Sequence, residues 1–303
     1  MRKILYRGSL SSCNYGCDYC PFAKTANSPA ELQQDALELE RFVGWVSAQT
    51  GPIGILFTPW GEALGHGYYR RALTALSRMA HVERVAIQTN LSASLDDFAP
   101  ADRHTLALWT TFHPTQVSLD RFVARCRELD RAQIRYSVGV VGLRGHFDAL
   151  EALRRELRPE IYLWINAFKR DPDYYRAREI DRLLAIDPYF HFNLQRHPSA
   201  GQPCNAGETS FTVDGAGNVR RCHFLDPIIG NIYDADFAEC LKPRPCSAAS
   251  CGCHIGYVHR PAMKLEELYG AGLLERIPAR WPEIDADFSR GAPRDDSFLT
   301  PIR

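Results

Sequence analysis

Residues 13–20 read Cys13-Asn14-Tyr15-Gly16-Cys17-Asp18-Tyr19-Cys20, directly after a short run, Lys3–Ser9, that fits a first β-strand. Three thiols on one short loop can each bind a different iron of a cubane and leave the fourth iron without a protein ligand. Structural zinc prefers four protein ligands in paired knuckles, and no fourth ligand lies nearby in sequence. The loop therefore reads as the holder of a [4Fe–4S] cluster with one open corner, carried at a strand end.

Outward from this loop, short uncharged runs alternate with longer helical stretches. Further strands are expected at Ile53–Thr58, Arg84–Thr89, Leu106–Thr111, Ile134–Val141, Ile161–Asn166 and Phe190–Leu194. They are rich in branched and aromatic residues, as strands buried on both faces should be. The clearest helix is Pro29–Ser47, where Ser28 is placed to cap, Pro29 suits the first position and Glu31 completes a capping box. Tyr69–Met79, Leu119–Leu129, Phe147–Leu157 and Tyr174–Leu184 read similarly. A repeat of this period predicts parallel strands curled into a partial (βα)6-type TIM barrel, with a flat doubly wound sheet as the alternative.

The 303 residues suffice for one large α/β domain and a small appendage. Lys plus Arg equals Asp plus Glu at 36 each, which excludes collection of nucleic acid by overall charge. The first residues lack the apolar core of a signal peptide and no run suits a membrane span, so a cytoplasmic protein is expected. Ten cysteines in a reducing compartment point to metal rather than disulfides, and six of them lie between Cys204 and Cys253.

The spacing C-x3-C-x2-C, with the aromatic Tyr19 before the last cysteine, resembles the signature of the radical S-adenosylmethionine superfamily. The resemblance implies that S-adenosylmethionine chelates the open iron through its amine and carboxylate. An electron from the reduced cluster then cleaves its sulfonium to methionine and a 5′-deoxyadenosyl radical. Pro59-Trp60-Gly61-Glu62, at the second strand end, is similar to the family's G-G-E element, with Trp60 in place of the first glycine. Gly61 and Glu62 are thereby implied to hold the methionine amine. Gln88-Thr89-Asn90 resembles the T-N after the family's third strand, and Thr110-Thr111-Phe112-His113-Pro114 its strand–His-Pro–helix passage. Ser137 and Asn166 fall on the strands where the family contacts ribose and adenine. The family also implies a flavodoxin- or ferredoxin-type electron donor.

Beyond about Ser199 the pattern changes. Thr209–Val213 and Asn218–His223 read as a hairpin around Asp214-Gly215-Ala216-Gly217. Cys204 and Cys222 bracket it as C-x12-G-x4-C, which resembles the opening half of SPASM and Twitch appendages that carry an auxiliary [4Fe–4S] cluster. The later cysteines do not fit a full SPASM run, so the one-cluster Twitch form matches better. Its remaining ligands are expected to be two of Cys246, Cys251 and Cys253. A zinc knuckle using His223 or His254 is the alternative. Cys126 and Cys240 read as structural.

The expected organisation is a barrel over 1–199, an auxiliary iron–sulfur domain over 200–260, and a helical to irregular tail over 261–303. The resemblance implies hydrogen abstraction from a peptide or small amino-acid-like substrate. A methyl- or aminocarboxypropyl-transferring enzyme is one alternative, and a non-catalytic iron–sulfur or zinc redox sensor or scaffold is another. No nucleic acid and no membrane is expected as a partner.

Overall fold

Residues 1–22 and 25–289 are described by a computed structural model. Six strands follow one another in chain order, each parallel to the last: β1 (Arg2–Arg7), β2 (Ile53–Phe57), β3 (Val82–Thr89), β4 (Leu106–Thr111), β5 (Arg135–Val141) and β6 (Leu163–Asn166). Between them run α1 (Pro29–Ser47), α2 (Gly67–Ser77), α3 (Leu119–Ala132) and α4 (Phe147–Glu156), and α5 (Ala177–Leu184) follows β6. At the head of α1, Ser28 Oγ accepts from the Glu31 backbone N–H and the Glu31 carboxylate accepts from that of Ser28. This is the capping box read from the sequence.

Alternate strand residues face opposite sides of the sheet. Ile4, Ile55, Val85, Leu108 and Val138 pack with helix residues such as Phe42, Leu73, Val123 and Leu150. Leu5, Leu56, Ala86, Ala107 and Trp109 face the other way and pack on residues 265–274. A doubly wound sheet would reverse its strand order and carry helices on both faces. Sequential order with the helices on one face is the barrel arrangement, and the C-terminal segment fills the inner face instead.

Several later elements depart from expectation. Phe190–Leu194 is not a strand: α6 (His191–Leu194) forms there. Buried Asp187 accepts from the Tyr189 and Ile165 N–H groups and from the Tyr162 hydroxyl, and the Phe190 N–H returns to the Asp187 carbonyl, closing a turn. Five residues alternating apolar with His191 and Asn193 read as a strand, and this local bonding decides otherwise. After β7 (His197–Pro198), β8 (Ser210–Asp214) lies parallel to β1, followed by the antiparallel β9 (Asn218–Arg220) and β10 (Ile228–Asn231). The hairpin expected in a separate appendage thus extends the barrel sheet to nine strands, and β10 is a strand the sequence did not suggest.

The two-residue β11 (Ser250–Cys251) pairs with β7. α7 (His254–Tyr257) and α8 (Leu265–Tyr269) follow. The single tail helix expected over Leu265–Leu274 stops at Tyr269, because Gly270 takes φ +49° and turns the chain. Residues 290–303, the polar end of the expected tail, lie outside the described residues. No described helix is long and apolar enough to cross a membrane.

Candidate cofactor pocket and second thiol group

The first cysteine loop is gripped from three sides. Asn27 Oδ1 accepts from the Ser11 and Ser12 backbone N–H groups, both at 2.8 Å. The Ser12 carbonyl accepts from the Glu62 N–H at 3.0 Å, and the Gly16 N–H donates to Gln116 Oε1 at 2.9 Å. A Cβ on Gly61 would stand 1.7 Å from the Ser12 carbonyl oxygen. Only glycine lets the end of β2 approach the loop this closely, which explains Gly61 whatever replaces its neighbour. Beneath, buried Asp35 accepts from the Leu10 N–H and from the Tyr68 and Tyr69 hydroxyls.

These contacts leave a cleft of about 230 Å³ at the carboxyl ends of the strands, where a parallel barrel carries its site. Cys13, Cys17, Cys20, Gly61, Glu62, Asn90, His113 and Asn166 line it together. Six strand-end and loop segments, scattered from residue 13 to residue 166, therefore meet at one place.

Glu62 is held by three donors: the Thr89 hydroxyl at 2.7 Å, the Asn90 N–H at 2.6 Å and the Leu64 N–H at 3.1 Å. Burial pushes its carboxyl up to about 7, while those donors pull the other way. A cationic amine placed against it would restore the carboxylate. Asn90 Nδ2 donates to Asn14 Oδ1 at 2.9 Å and lies 3.8 Å from Cys13 Sγ. His113 Nδ1 lies 2.8 Å from the Tyr19 hydroxyl and 3.4 Å from Cys17 Sγ. Burial, then the charge of His146, pushes His113 down to about 4, so it is a neutral imidazole.

Two expected contacts are placed differently from the rest. Tyr19 lies flat along His113, with ring centroids 6.0 Å apart, and braces that imidazole from behind. Ser137 is fully buried; its Oγ donates to the Glu275 carbonyl at 2.7 Å and accepts from Trp164 Nε1 at 3.1 Å. Trp164 lines the cleft, and Ser137 supports that ring from beyond it. The sequence offered no sign of this, because the partner carbonyl is 138 residues away.

The second thiol group is looser. Burial raises Cys222, with the charges of Cys204 and Cys246 adding to it. Burial likewise pushes Cys251 up to about 12, helped by Cys222, Cys253 and Cys204. Cys204, Cys222, Cys246, Cys251 and Cys253 are thus electrostatic neighbours. Backbone bonds fix part of this region: the Gly201 N–H donates to the Cys246 carbonyl at 2.8 Å, and the Cys246 N–H to the Gln202 carbonyl at 2.9 Å. Arg221 donates to the carbonyls of Pro245 and Arg244. Cys253, which also acts on Cys251, is exposed.

The two histidines that could complete a zinc knuckle have other surroundings. His223 Nε2 pairs with Thr58 Oγ1 at 2.6 Å, and His254 is buried among the rings of Trp109, Tyr257 and Tyr269. No disulfide joins any of the ten cysteines. Among the described residues, no group of three His, Cys, Asp or Glu side chains is drawn together around the position of a single metal ion. Cys126 is buried, its thiol pushed up to about 12 by burial and then by Asp130, and Cys240 packs beside Gly230.

The mouth of the cleft carries Trp60, read from the sequence only as the replacement of a glycine, and Phe22 and Arg7, which sequence reading passed over. Trp60 and Phe22 line it with ring centroids 4.6 Å apart, and the Arg7 guanidinium lies 3.9 Å from the Trp60 ring centroid. Asn27, which clamps the cysteine loop, was equally silent. It lies between that loop and the first helix cap, where an asparagine reads as an ordinary turn residue.

No family model and no curated protein matches the sequence. Solved structures match in fold. Native anSMEcpe with bound AdoMet and Cp18Cys peptide is 14% identical, with a TM-score of 0.51 over 77% of each chain. A second anSMEcpe structure, with bound AdoMet and Kp18Cys peptide, gives 12% identity and a TM-score of 0.53 over 77% of this chain and 78% of that one. Streptococcus suis SuiB bound to precursor peptide SuiA gives 12% and 0.51, over 78% of this chain and 63% of SuiB. At such identities the likeness is one of fold, and it agrees with the strand order and the rim position of the cleft. The chain has the fold of radical S-adenosylmethionine enzymes.

Proposed function

We propose that this chain is a radical S-adenosylmethionine enzyme acting on a peptide or small amino-acid-like substrate. The observation that carries the reading is the convergence of Cys13, Cys17 and Cys20 on one cleft with Glu62, Asn90, His113 and Asn166. Three thiols without a fourth protein ligand suit a [4Fe–4S] cluster with an open iron. Cys13, Cys17 and Cys20 would hold the cluster, and with S-adenosylmethionine bound beside Glu62 it would supply radical chemistry for hydrogen abstraction from substrate.

The chain's own residues have definable tasks. Glu62, already positioned by Thr89 and Asn90, receives the methionine amine. Asn90 and Asn14 close the pocket beside Cys13. His113, neutral and braced by Tyr19, orders the Cys17 side of the loop without adding positive charge. Trp164, held by Ser137, gives the pocket an apolar floor that excludes water. Asn166 stands free at the far wall to meet the adenosine end.

For the second group we propose Cys204, Cys222, Cys246 and Cys251 as holders of an auxiliary [4Fe–4S] cluster, leaving Cys253 outside. The exposure of Cys253, against the partial burial of the other four, supports this choice. The preference for a peptide-like substrate is supported by the peptide-bound anSMEcpe and SuiB structures.

The test is anaerobic reconstitution with iron and sulfide, reduction in the presence of S-adenosylmethionine, and nucleoside analysis. The expected product is 5′-deoxyadenosine from the wild type and none above background from Cys17→Ala. S-adenosylhomocysteine or methylthioadenosine instead would mean methyl or aminocarboxypropyl transfer. An iron-free protein that leaves the cofactor intact would overturn the reading.

A further inference from the structure

Arg276 is a buried cation without a salt bridge. It is 3% exposed, and among the described residues it makes no ion pair and its Nε has no hydrogen-bond partner. Its neighbour Glu275, buried as well, is paired with Arg84 at 3.3 Å and with Arg135 at 2.8 Å. Burial opposes the Arg276 charge, while Tyr269, Tyr257, Tyr162 and Asp187 around it favour that charge.

The guanidinium is seated against two indole rings. Its Cζ lies 4.5 Å from the Trp164 ring centroid and 5.8 Å from that of Trp109. The two rings meet edge to face, with centroids 5.4 Å apart. Trp164 is confined on other sides too. Its Nε1 donates to Ser137 Oγ at 3.1 Å, and Ser137 Oγ donates to the Glu275 carbonyl at 2.7 Å. A Cβ on Gly139 would stand 2.0 Å from Trp164 Cζ2, so the ring lies directly against the backbone of β5. Trp164 lines the cofactor cleft, and Arg276, behind it, does not. Residues 275 and 276 thus hold this ring by its edge and by its face.

A cation over an indole face is attracted by the ring quadrupole, most strongly where water is excluded. For the fold alone a buried unpaired charge is costly, and an apolar side chain of similar volume would fill the space more favourably. What arginine adds is a directional contact, which holds the ring in one plane where an apolar neighbour would let it tilt. Resting on the function proposed above, we propose that Arg276 is a positioning residue of the cofactor cleft. It sets the plane of Trp164, and through that ring the floor against which S-adenosylmethionine binds. The C-terminal segment thereby belongs to the cofactor site, although the residues that line the cleft end at Asn166.

Near-ultraviolet circular dichroism of the full-length protein as purified reads the surroundings of Trp164 directly, each spectrum being taken as the difference from the same protein carrying Trp164→Phe. Arg276→Gln should lose most of this Trp164 contribution. Arg276→Lys keeps a cation under the ring and should retain most of it. In reconstituted protein, Arg276→Gln should weaken S-adenosylmethionine binding about tenfold, well below the roughly hundredfold expected where a reacting group itself is displaced. Its cleavage rate at saturating cofactor should change little, and Arg276→Lys should bind nearly as the wild type does.

An Arg276→Gln protein that keeps the full Trp164 dichroism overturns the proposal. So does wild-type cofactor affinity in Arg276→Gln, or an Arg276→Lys protein as impaired as Arg276→Gln. Should Arg276→Gln not fold, Arg276→Lys and Trp164→Phe are compared singly and together by denaturant unfolding. Their losses are expected to fall short of additive, as for residues in contact, and additive losses overturn the proposal. The dichroism and the unfolding cycle need neither iron nor cofactor. A wild type that forms no 5′-deoxyadenosine would sink the proposed function and leave the placement of Trp164 by Arg276 to be judged separately.

Discussion

The two thiol groups are built by opposite means. Cys13, Cys17 and Cys20 sit within eight residues, and their loop is clamped by side chains from distant elements: Asn27, Gln116 and the Gly61–Glu62 turn. Cys204, Cys222, Cys246 and Cys251 span almost fifty residues, and the contacts that fix their loops are largely to backbone carbonyls. The first arrangement suits a preorganised site, since the Gly61–Glu62 clamp also lines the cleft that the three cysteines share. The second can hold a cluster but builds no comparable pocket of polar groups around it. Under the proposed function, the difference would separate a reacting centre from one that passes electrons or supports the fold.

The largest expected effect tests this separation. Cys17→Ala should abolish S-adenosylmethionine cleavage and lower bound iron from about eight to about four per chain, the count implied by two cubanes. The remaining visible absorption should then belong to the second group. Loss of all iron would show that the two centres do not assemble independently.

Gly61→Ala comes next. A Cβ 1.7 Å from the Ser12 carbonyl must displace either the cysteine loop or the end of β2. Cleavage should fall about a hundredfold or more, in line with the cost of a misplacement of about 1 Å at a reacting centre. The iron of the second group should stay unchanged.

Cys251→Ala and Cys253→Ala sharpen the assignment of the second group. The first should lose about four irons and keep S-adenosylmethionine cleavage measurable, whereas the second should keep its full iron content. Iron loss in Cys253→Ala with retention in Cys251→Ala would reverse the assignment. Metal analysis and absorption spectra are sufficient to read this.

A smaller, graded effect concerns pH. Glu62 must be ionised to receive an amine, and burial sets its carboxyl near 7. As pH falls through that value the carboxylate takes up a proton, and affinity for S-adenosylmethionine should decline toward tenfold per unit. Equilibrium binding to reconstituted protein between pH 6 and 8 checks the sign; affinity that rises on acidification would contradict it. The smallest effect is expected from Ser137→Ala. It strands Trp164 Nε1 and the Glu275 carbonyl and should cost about 2 kcal/mol in denaturant unfolding. Cofactor affinity should change little.

What the sequence made legible follows the same division. The cysteine spacing, the capping box at Ser28 and the strand ends at Glu62, Asn90 and His113 are short-range signals; the capping box forms, and the three cysteines and the three strand ends line one cleft. Long-range pairings were not legible. The parallel alignment of β8 with β1 joins residues about two hundred positions apart, so the hairpin read as an appendage while it extends the barrel sheet. Ser137 was read by its position on a strand, but that side of β5 is covered by the C-terminal segment, through Glu275. Phe190–Leu194 failed for a local reason: Asp187 and its turn outweigh a strand-like alternation of Phe190, Phe192 and Leu194 with polar residues.

The measurement that bears most directly on the central claim is electron paramagnetic resonance of dithionite-reduced Cys251→Ala, which should retain only the first cluster, recorded with and without S-adenosylmethionine. The account predicts a cluster signal that the cofactor reshapes, because it binds the open iron held by Cys13, Cys17 and Cys20. A reduced signal that S-adenosylmethionine leaves unaltered at saturating concentration would contradict it.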